Sequence, residues 1–202
     1  MFEQALRSNQ AAFELELPDE TLAQLGEYYS LLTRWNDRLH LVAPCSPEEF
    51  AVRHVLESLM LLRHLPHGAL VVDIGSGGGL PIIPCLIARP DLDAALIESS
   101  QKKVIFLREV INRLGLRAVV VAQRFEEVSA VDVSFVTCRA LDQFMQKLPA
   151  IIKWAPRGSK LLLFGGEEMS EQLNKIGVNF EQLLVPKSER RYLFLTTIDT
   201  DL

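Results

Sequence analysis

The residues with the clearest chemical pattern form a glycine-rich turn behind a short apolar run. Residues 69–73 read Ala-Leu-Val-Val-Asp, and residues 75–79 read Gly-Ser-Gly-Gly-Gly. Glycine lets a backbone approach a ligand closely, and ligands of doubly wound sheets bind at the carboxyl ends of the strands. The dinucleotide fingerprint G-x-G-x-x-G would need glycine at position 80 or 82, where Leu80 and Ile82 stand. The turn therefore predicts a nucleotide-type cofactor through a different pattern, D-x-G-x-G-x-G.

Acidic residues at two strand ends indicate which cofactor this is. Asp73 closes the first strand, and Glu98 closes the second strand 23 residues after Gly75. A pyrophosphate favours a helix N-terminus without a nearby acid, whereas S-adenosylmethionine carries an ammonium and a sulfonium that suit a carboxylate. Glu98 can accept from the ribose hydroxyls of either cofactor. We predict that five residues hold S-adenosylmethionine: Asp73, Gly75, Gly77, Gly79 and Glu98. A nicotinamide cofactor and a purely structural glycine turn are the alternatives.

Residues 137–140, after the fourth predicted strand, are expected to meet the methyl acceptor. They read Thr-Cys-Arg-Ala, without the Asn/Asp-Pro-Pro-aromatic segment used on exocyclic amines. A cytosine-C5 enzyme needs a nucleophilic cysteine, but Cys85 lies in a predicted helix and Cys138 has no preceding proline. An acceptor with its own lone pair, such as guanine N7, needs positioning rather than a general base. Arg139 is expected to pair with the cofactor carboxylate, a phosphate or the acceptor base, with a surface ion pair as the alternative.

The remaining reactive side chains do not predict a metal centre or a disulfide. The three cysteines are widely spaced without a CxxC, which favours free thiols in a reducing compartment. All four histidines fall between positions 40 and 67 without zinc-ligand spacing, so no metal is predicted. Arg53 and Glu57 stand four residues apart and are expected to pair on a helix surface.

Hydrophobic periodicity predicts the elements that position these residues. Apolar residues from Leu22 to Trp35 recur at helical spacing, and Ser46 to Glu49 read as a capping box. From residue 69 onward, strand-like runs alternate with helical segments, and the clearest helix ends at Gly115. The strand-like runs are 69–73, 94–98, 118–122, 133–138, 160–164 and 191–198. This order predicts an α/β parallel sheet, with residues 1–66 as a helical N-terminal extension and residues 67–202 as the sheet domain, together forming one compact unit.

Composition and charge narrow the class of protein further. The chain has 202 residues, 49% of them hydrophobic and 23% charged, which excludes wholesale disorder. It shows neither an apolar run long enough for a membrane span nor a secretory signal, so a cytoplasmic protein is expected. The net charge of −5 hides an acidic segment at 1–33 and two basic stretches at 100–117 and 139–160. These stretches are either solvated helix faces or one limited positive face for nucleic acid.

Several motifs, taken in order, resemble the bacterial small-subunit rRNA guanine-N7 methyltransferases, the GidB family. The resemblance spans roughly residues 25 to 198. The matching segments are Trp35-Asn36, Arg53-His54-Val55-Leu56-Glu57-Ser58-Leu59, residues 72–81, Glu98-Ser99, residues 102–107, residues 124–127 and Arg139-Ala140. One departure lies after the fifth strand, where Phe164-Gly165 stands in place of the family's Lys-Gly.

This resemblance implies a class I S-adenosylmethionine-dependent methyltransferase: a Rossmann-like, seven-stranded, mostly parallel sheet with a short helical N-terminal extension. It implies methylation of a guanosine at N7 in 16S rRNA, either free or in a partly assembled small ribosomal subunit, with Arg139 as the catalytic residue. The implied cofactor contacts are Gly75, Leu80, Phe125, Glu126 and Arg139. The implied substrate-binding residues are Arg53, His54, Lys102 and Lys103. The acidic balance and Phe164 favour a small-molecule methyltransferase on the same fold as the first alternative. The second alternative is a non-catalytic S-adenosylmethionine-binding protein that acts through its helical extension.

Overall fold

A computed structural model of the chain describes residues 1–129 and 133–198, in which seven strands form one sheet. The strands are β1 (Leu70–Ile74), β2 (Asp93–Ile97), β3 (Ala118–Val121), β4 (Phe135–Arg139), β5 (Lys160–Gly165), β6 (Glu181–Leu184) and β7 (Tyr192–Thr197). Their order is β3-β2-β1-β4-β5-β7-β6, with β1 to β5 parallel and with β7 antiparallel to both β5 and β6. This mostly parallel seven-stranded sheet confirms the predicted fold.

Helices cover both faces of the sheet. They are α1 (Phe2–Asn9), α2 (Asp19–Leu39), α3 (Pro47–Phe50), α4 (Glu57–Leu59), α5 (Ile82–Ala88), α6 (Gln101–Leu114), α7 (Phe144–Trp154) and α8 (Glu167–Ile176). A π-helical segment, Ala51–Leu56, joins α3 to α4, and short 3₁₀ segments cover Gln10–Phe13, Met60–His64 and Phe125–Glu127. As predicted, α6 ends at Gly115, whose φ of +63° is the left-handed conformation that glycine adopts without a steric penalty.

The sequence pattern missed β6. Glu181, Gln182 and Leu184 are exposed at the sheet edge, so this strand has neither an apolar run nor a buried face. Its register comes instead from main-chain pairing with β7. Periodicity detects strands that bury side chains, and β6 buries almost none.

The strand order places a crevice above the centre of the sheet. The chain proceeds from β1 through β2 to β3 on one side and continues with β4 and β5 on the other. Ligands bind where the strand order reverses in this way, outside the carboxyl ends of the strands. On one face, α2 packs against α5 and α6, and one hydrophobic core joins the N-terminal helices to that side of the sheet. Within residues 1–129 and 133–198, no helix has the length and apolar character needed to cross a bilayer.

Candidate active site

A cavity of about 590 Å³ opens at the carboxyl ends of β1, β2 and β4, a size typical of small-molecule sites. It brings together most of the predicted site residues. Those that line it are His54, Gly75, Gly77, Leu80, Glu98, Lys103, Phe125, Glu126 and Arg139. Four predicted residues do not line it: Arg53, Asp73, Gly79 and Lys102.

The glycine loop forms an open cradle at the end of β1. Gly75 and Gly77 have φ angles of +69° and +54°, in the left-handed region that favours glycine. A Cβ atom on Gly75 would lie 2.4 Å from Cδ1 of Leu141, so the end of that side chain, which also lines the cavity, would have to move. Gly79 plays a different part, because its missing Cβ makes room for the Ile83 side chain at the start of α5.

Glu98 ties the glycine loop to the start of α6. Its side chain is buried, and its two oxygens accept from the backbone N–H of Gly77 at 2.9 Å and of Ser100 at 2.7 Å. A carboxylate oxygen can accept more than one hydrogen bond. Glu98 therefore braces the loop and still has acceptor capacity facing the cavity, as contact with ribose hydroxyls would require.

Asp73 lies behind the glycine loop rather than on the cavity wall. Its side chain is fully buried, and neither carboxylate oxygen has a hydrogen-bond partner within the described residues. Burial raises the pKa of this carboxyl well above its ordinary value, and the nearby charge of Glu98 raises it further. Direct contact between Asp73 and the cofactor remains a prediction.

The N-terminal helices supply part of the site that sequence reasoning did not identify. The fully buried Tyr28 of α2 donates its hydroxyl to the carbonyl oxygen of Gly78 at 2.6 Å. Asn36 holds the main chain of Val42 through two hydrogen bonds of 2.9 and 3.1 Å, and residues 41–43 line the cavity. The sequence did point to Asn36, because Trp35-Asn36 is one of the segments that resemble the family. Tyr28 had none, because its partner is 50 residues away in sequence.

The expected surface pair between Arg53 and Glu57 is wrong. Arg53 instead pairs with Glu49, and Glu57, with 1% of its side chain exposed, pairs with Arg139 and Arg191. The cause is the π segment Ala51–Leu56, which contains Arg53 and ends just before Glu57. Its turns close at a spacing of five residues rather than four, which rotates Glu57 away from Arg53 and into the interior.

Arg139 and His54 present unpartnered polar atoms near each other at the β4 end of the cavity. Within the described residues, Nη1 of Arg139 and Nδ1 of His54 are buried and have no hydrogen-bond partner. Burial lowers the pKa of His54 to about 3, and the positive charge of Arg139 adds to this effect. His54 is therefore a neutral imidazole at physiological pH.

Positive charge is concentrated at the cavity mouth rather than along the whole of stretch 100–117. Lys103, Arg124 and Lys147 line the cavity, and none of them forms an ion pair within the part of the chain that is described. Farther along α6 and beyond it, Arg113 pairs with Glu27 and Arg117 with Asp93, each at 2.6 Å. The candidate nucleic-acid surface is thus a limited cation rim, formed by Lys103, Arg124 and Lys147, and the acids Glu126 and Asp142 line the same cavity.

The cysteines are not poised as nucleophiles. Cys85 and Cys138 are fully buried, and burial raises the pKa of both thiols. Since a thiolate is the reactive form, these thiols are inert packing residues. Among residues 1–129 and 133–198, no group of three His, Cys, Asp or Glu side chains is arranged to hold a metal ion.

The sheet order, the glycine cradle after β1 and the acid after β2 define the class I S-adenosylmethionine-dependent methyltransferase fold. A solved magnesium protoporphyrin IX methyltransferase from Synechocystis PCC 6803, with bound S-adenosylmethionine, shares this fold. It superposes with a TM-score of 0.60 at 15% identity, covering 90% of this chain and 98% of that one.

Sequence similarity assigns the chain to one family among the proteins that share this fold. Residues 21–187 match the model of the GidB family, described as rRNA small subunit methyltransferase G, and the chain belongs to that family. It is 38% identical to the ribosomal RNA small subunit methyltransferase G of Sorangium cellulosum over 171 residues, 81% of this chain and 72% of the relative. It is 31% identical to the protein of the same name from Acinetobacter baylyi over 96% of both chains. The predicted family, enzyme class and cofactor are confirmed.

Proposed function

We propose that this protein transfers the methyl group of S-adenosylmethionine to N7 of a guanosine in 16S rRNA. The observation that supports this most strongly is the cavity, which is lined by the glycine cradle, by the buried Glu98 and by Arg139, whose side chain is 13% exposed. Membership of a family described as small-subunit rRNA methyltransferases supports this class of acceptor.

The cofactor fits the residues that surround the cavity. Gly75 and Gly77 leave room for close approach, and Glu98 faces the cavity with acceptor capacity for the ribose hydroxyls. Leu80, Phe125 and Glu126 complete the wall, and we assign Phe125 and Glu126 to the adenosine end. When bound, S-adenosylmethionine supplies an electrophilic methyl group on a sulfonium.

The acceptor is expected at the β4 end of the cavity. Guanine N7 carries a lone pair, so the protein must orient the base rather than remove a proton. Arg139 and neutral His54 line this end of the cavity, and Nη1 of Arg139 and Nδ1 of His54 have no hydrogen-bond partner within the described residues. These two groups are proposed to align the guanine with the methyl group.

The cation rim is proposed to hold the RNA backbone. Lys103 lines the cavity, while Lys102 and Arg53 lie farther out and would contact flanking phosphates. Single-stranded RNA loops present splayed bases that can enter a pocket, so a small basic rim is sufficient. We propose a cytoplasmic substrate, either 16S rRNA or a partly assembled small subunit.

The helical segment 1–66 and the sheet segment 67–202 are proposed to work as one compact unit. Tyr28 hydrogen-bonds to the glycine loop, and residues 41–43 form part of the cavity wall. Removing the helical segment would therefore open the cofactor site.

Calorimetry with S-adenosylmethionine tests the cofactor site with a matched pair of variants. Gly75 and Gly68 share a φ angle of +69°, so alanine imposes the same backbone strain at both positions. Only at Gly75 would the added Cβ meet a neighbour, Leu141, because nothing lies within 4 Å of such an atom at Gly68. We expect Gly75→Ala to lose binding and Gly68→Ala to keep it. A wild-type protein that does not bind, or equal binding by the two variants, would contradict the proposal.

A further inference from the structure

We infer that Glu57 is a positioning residue that fixes the guanidinium of Arg139 in the wall at the acceptor end of the cavity. This inference rests on the proposed role of Arg139 at the acceptor end of the cavity. Glu57 itself does not line the cavity, and it reaches the site only through the arginine.

The geometry around Glu57 joins three parts of the fold. Its Oε2 accepts from Nη2 of Arg139 at 3.0 Å, and its Oε1 accepts from Nε and Nη2 of Arg191 at 3.0 and 2.6 Å. Glu57 begins α4, Arg139 ends β4, and Arg191 immediately precedes β7. One buried carboxylate thus binds two arginines, one at the end of β4 and one just before β7.

Two further contacts restrict the orientation of the Arg139 guanidinium. Its Nη2 also donates to the main-chain carbonyl of Arg53 at 2.5 Å, and its guanidinium carbon lies 5.3 Å from the centre of the Phe164 ring. The ring supports one face of the guanidinium by a cation–π contact. Nη1 is buried and has no hydrogen-bond partner in the described residues, so the orientation set by Glu57 decides where that nitrogen lies.

Electrostatics explain why the carboxylate is needed. A guanidinium removed from water is unfavourable unless an opposite charge lies close by. Arg53 and Arg191 repel Arg139, and Glu57 is the acid that opposes both this repulsion and the burial. Without that carboxylate, two neighbouring guanidiniums would separate, and Nη1 would leave its position.

A double-mutant cycle on methyl transfer to 16S rRNA tests the inference. Misplacing a catalytic group by about 1 Å can cost about 100-fold in rate, so we expect Glu57→Gln to lower kcat by roughly 10- to 100-fold. If Glu57 acts through Arg139, the same substitution in an Arg139→Ala background should change kcat by less than about threefold. Should Glu57→Gln fail to fold, Glu57→Asp replaces it, because it keeps the charge but is too short to reach both arginines.

Asp91→Asn serves as the matched control for losing an acid bound to arginine. Asp91 accepts from Nε and Nη2 of Arg89 at 2.6 Å each, and it precedes β2 at the opposite end of the sheet from the cavity. We expect this variant to lose stability and keep kcat.

The outcomes separate the inference from the proposed function. If Arg139→Ala keeps full activity, the proposed role of Arg139 is wrong. If Arg139→Ala is impaired while Glu57→Gln keeps the wild-type kcat, the inference about Glu57 is overturned. An equal loss from Glu57→Gln in both backgrounds would also overturn it, because Glu57 would then act independently of Arg139.

Discussion

The substitution Tyr28→Phe distinguishes two roles of Tyr28: support of the glycine loop by its hydroxyl and packing of its ring in the core. It removes one oxygen atom and leaves the aromatic ring in place. In the native protein that oxygen is fully buried and donates to the Gly78 carbonyl at 2.6 Å. Burial also raises the pKa of Tyr28, so the hydroxyl stays protonated and remains a donor.

The expected loss of stability can be worked out from the Gly78 carbonyl, which loses its hydrogen-bond donor in this variant. Leaving a buried hydrogen-bonding group unsatisfied costs about 1–3 kcal/mol, and we expect the free energy of unfolding to fall by this amount. Gly78 belongs to the loop that lines the cavity, so part of the cost should appear in the cofactor affinity. A share of about 1.4 kcal/mol would raise the Kd for S-adenosylmethionine about tenfold.

Urea unfolding and calorimetry on the same preparations measure both effects, with Tyr29→Phe as the control. Tyr29 is the next residue of α2, its ring stacks on Phe2 at 4.4 Å, and its hydroxyl makes no hydrogen bond within the described residues. We expect Tyr29→Phe to leave the Kd unchanged. A Kd for Tyr28→Phe equal to that of the wild type would refute the idea that α2 supports the cofactor loop.

Three further substitutions, one of an acid and two of lysines, test the charges around the site. Because burial raises the pKa of Asp73, the folded protein retains a proton that the unfolded chain releases above about pH 4, so stability falls as the pH rises. Asp73→Asn removes this dependence, and the cofactor-free variant should gain stability relative to the wild type between pH 5 and 8 in urea unfolding; a constant difference would contradict the assignment. Lys103→Glu should weaken RNA methylation more than Lys102→Glu, and more at low salt than at high salt, because only Lys103 lines the cavity. Unchanged RNA binding and methylation by Lys103→Glu at low salt, in filter-binding and methylation assays, would mean that Lys103 does not contact RNA.

Sequence reasoning succeeded where chemistry is encoded locally. Asp73 and the glycines that follow it are adjacent in sequence, and Glu98 closes the next strand. The sequence could therefore predict that the glycine turn and Glu98 lie at the same edge of the sheet. The buried strands were predicted from their apolar runs, because helices cover both faces of a parallel sheet and shield them from water.

Sequence reasoning failed where a partner comes from far along the chain. The hydrogen bond from Tyr28 to Gly78 and the pairing of Glu57 with Arg191 span 50 and 134 residues, and no spacing rule predicts either contact. The pairing of Arg53 with Glu57 was predicted wrongly because a regular α-helix was assumed, whereas the chain forms a π segment there. Such widened turns are frequent at functional sites, and here one turns an expected surface residue towards the interior.

Mapping N7-methylguanosine in 16S rRNA from cells with and without this protein tests the proposed methyl transfer. We expect one guanosine whose N7 methylation disappears with the protein and returns with the wild-type chain but not with Gly75→Ala. An rRNA map that is unchanged by loss of the protein, while the purified chain binds S-adenosylmethionine, would show that the acceptor is not this RNA.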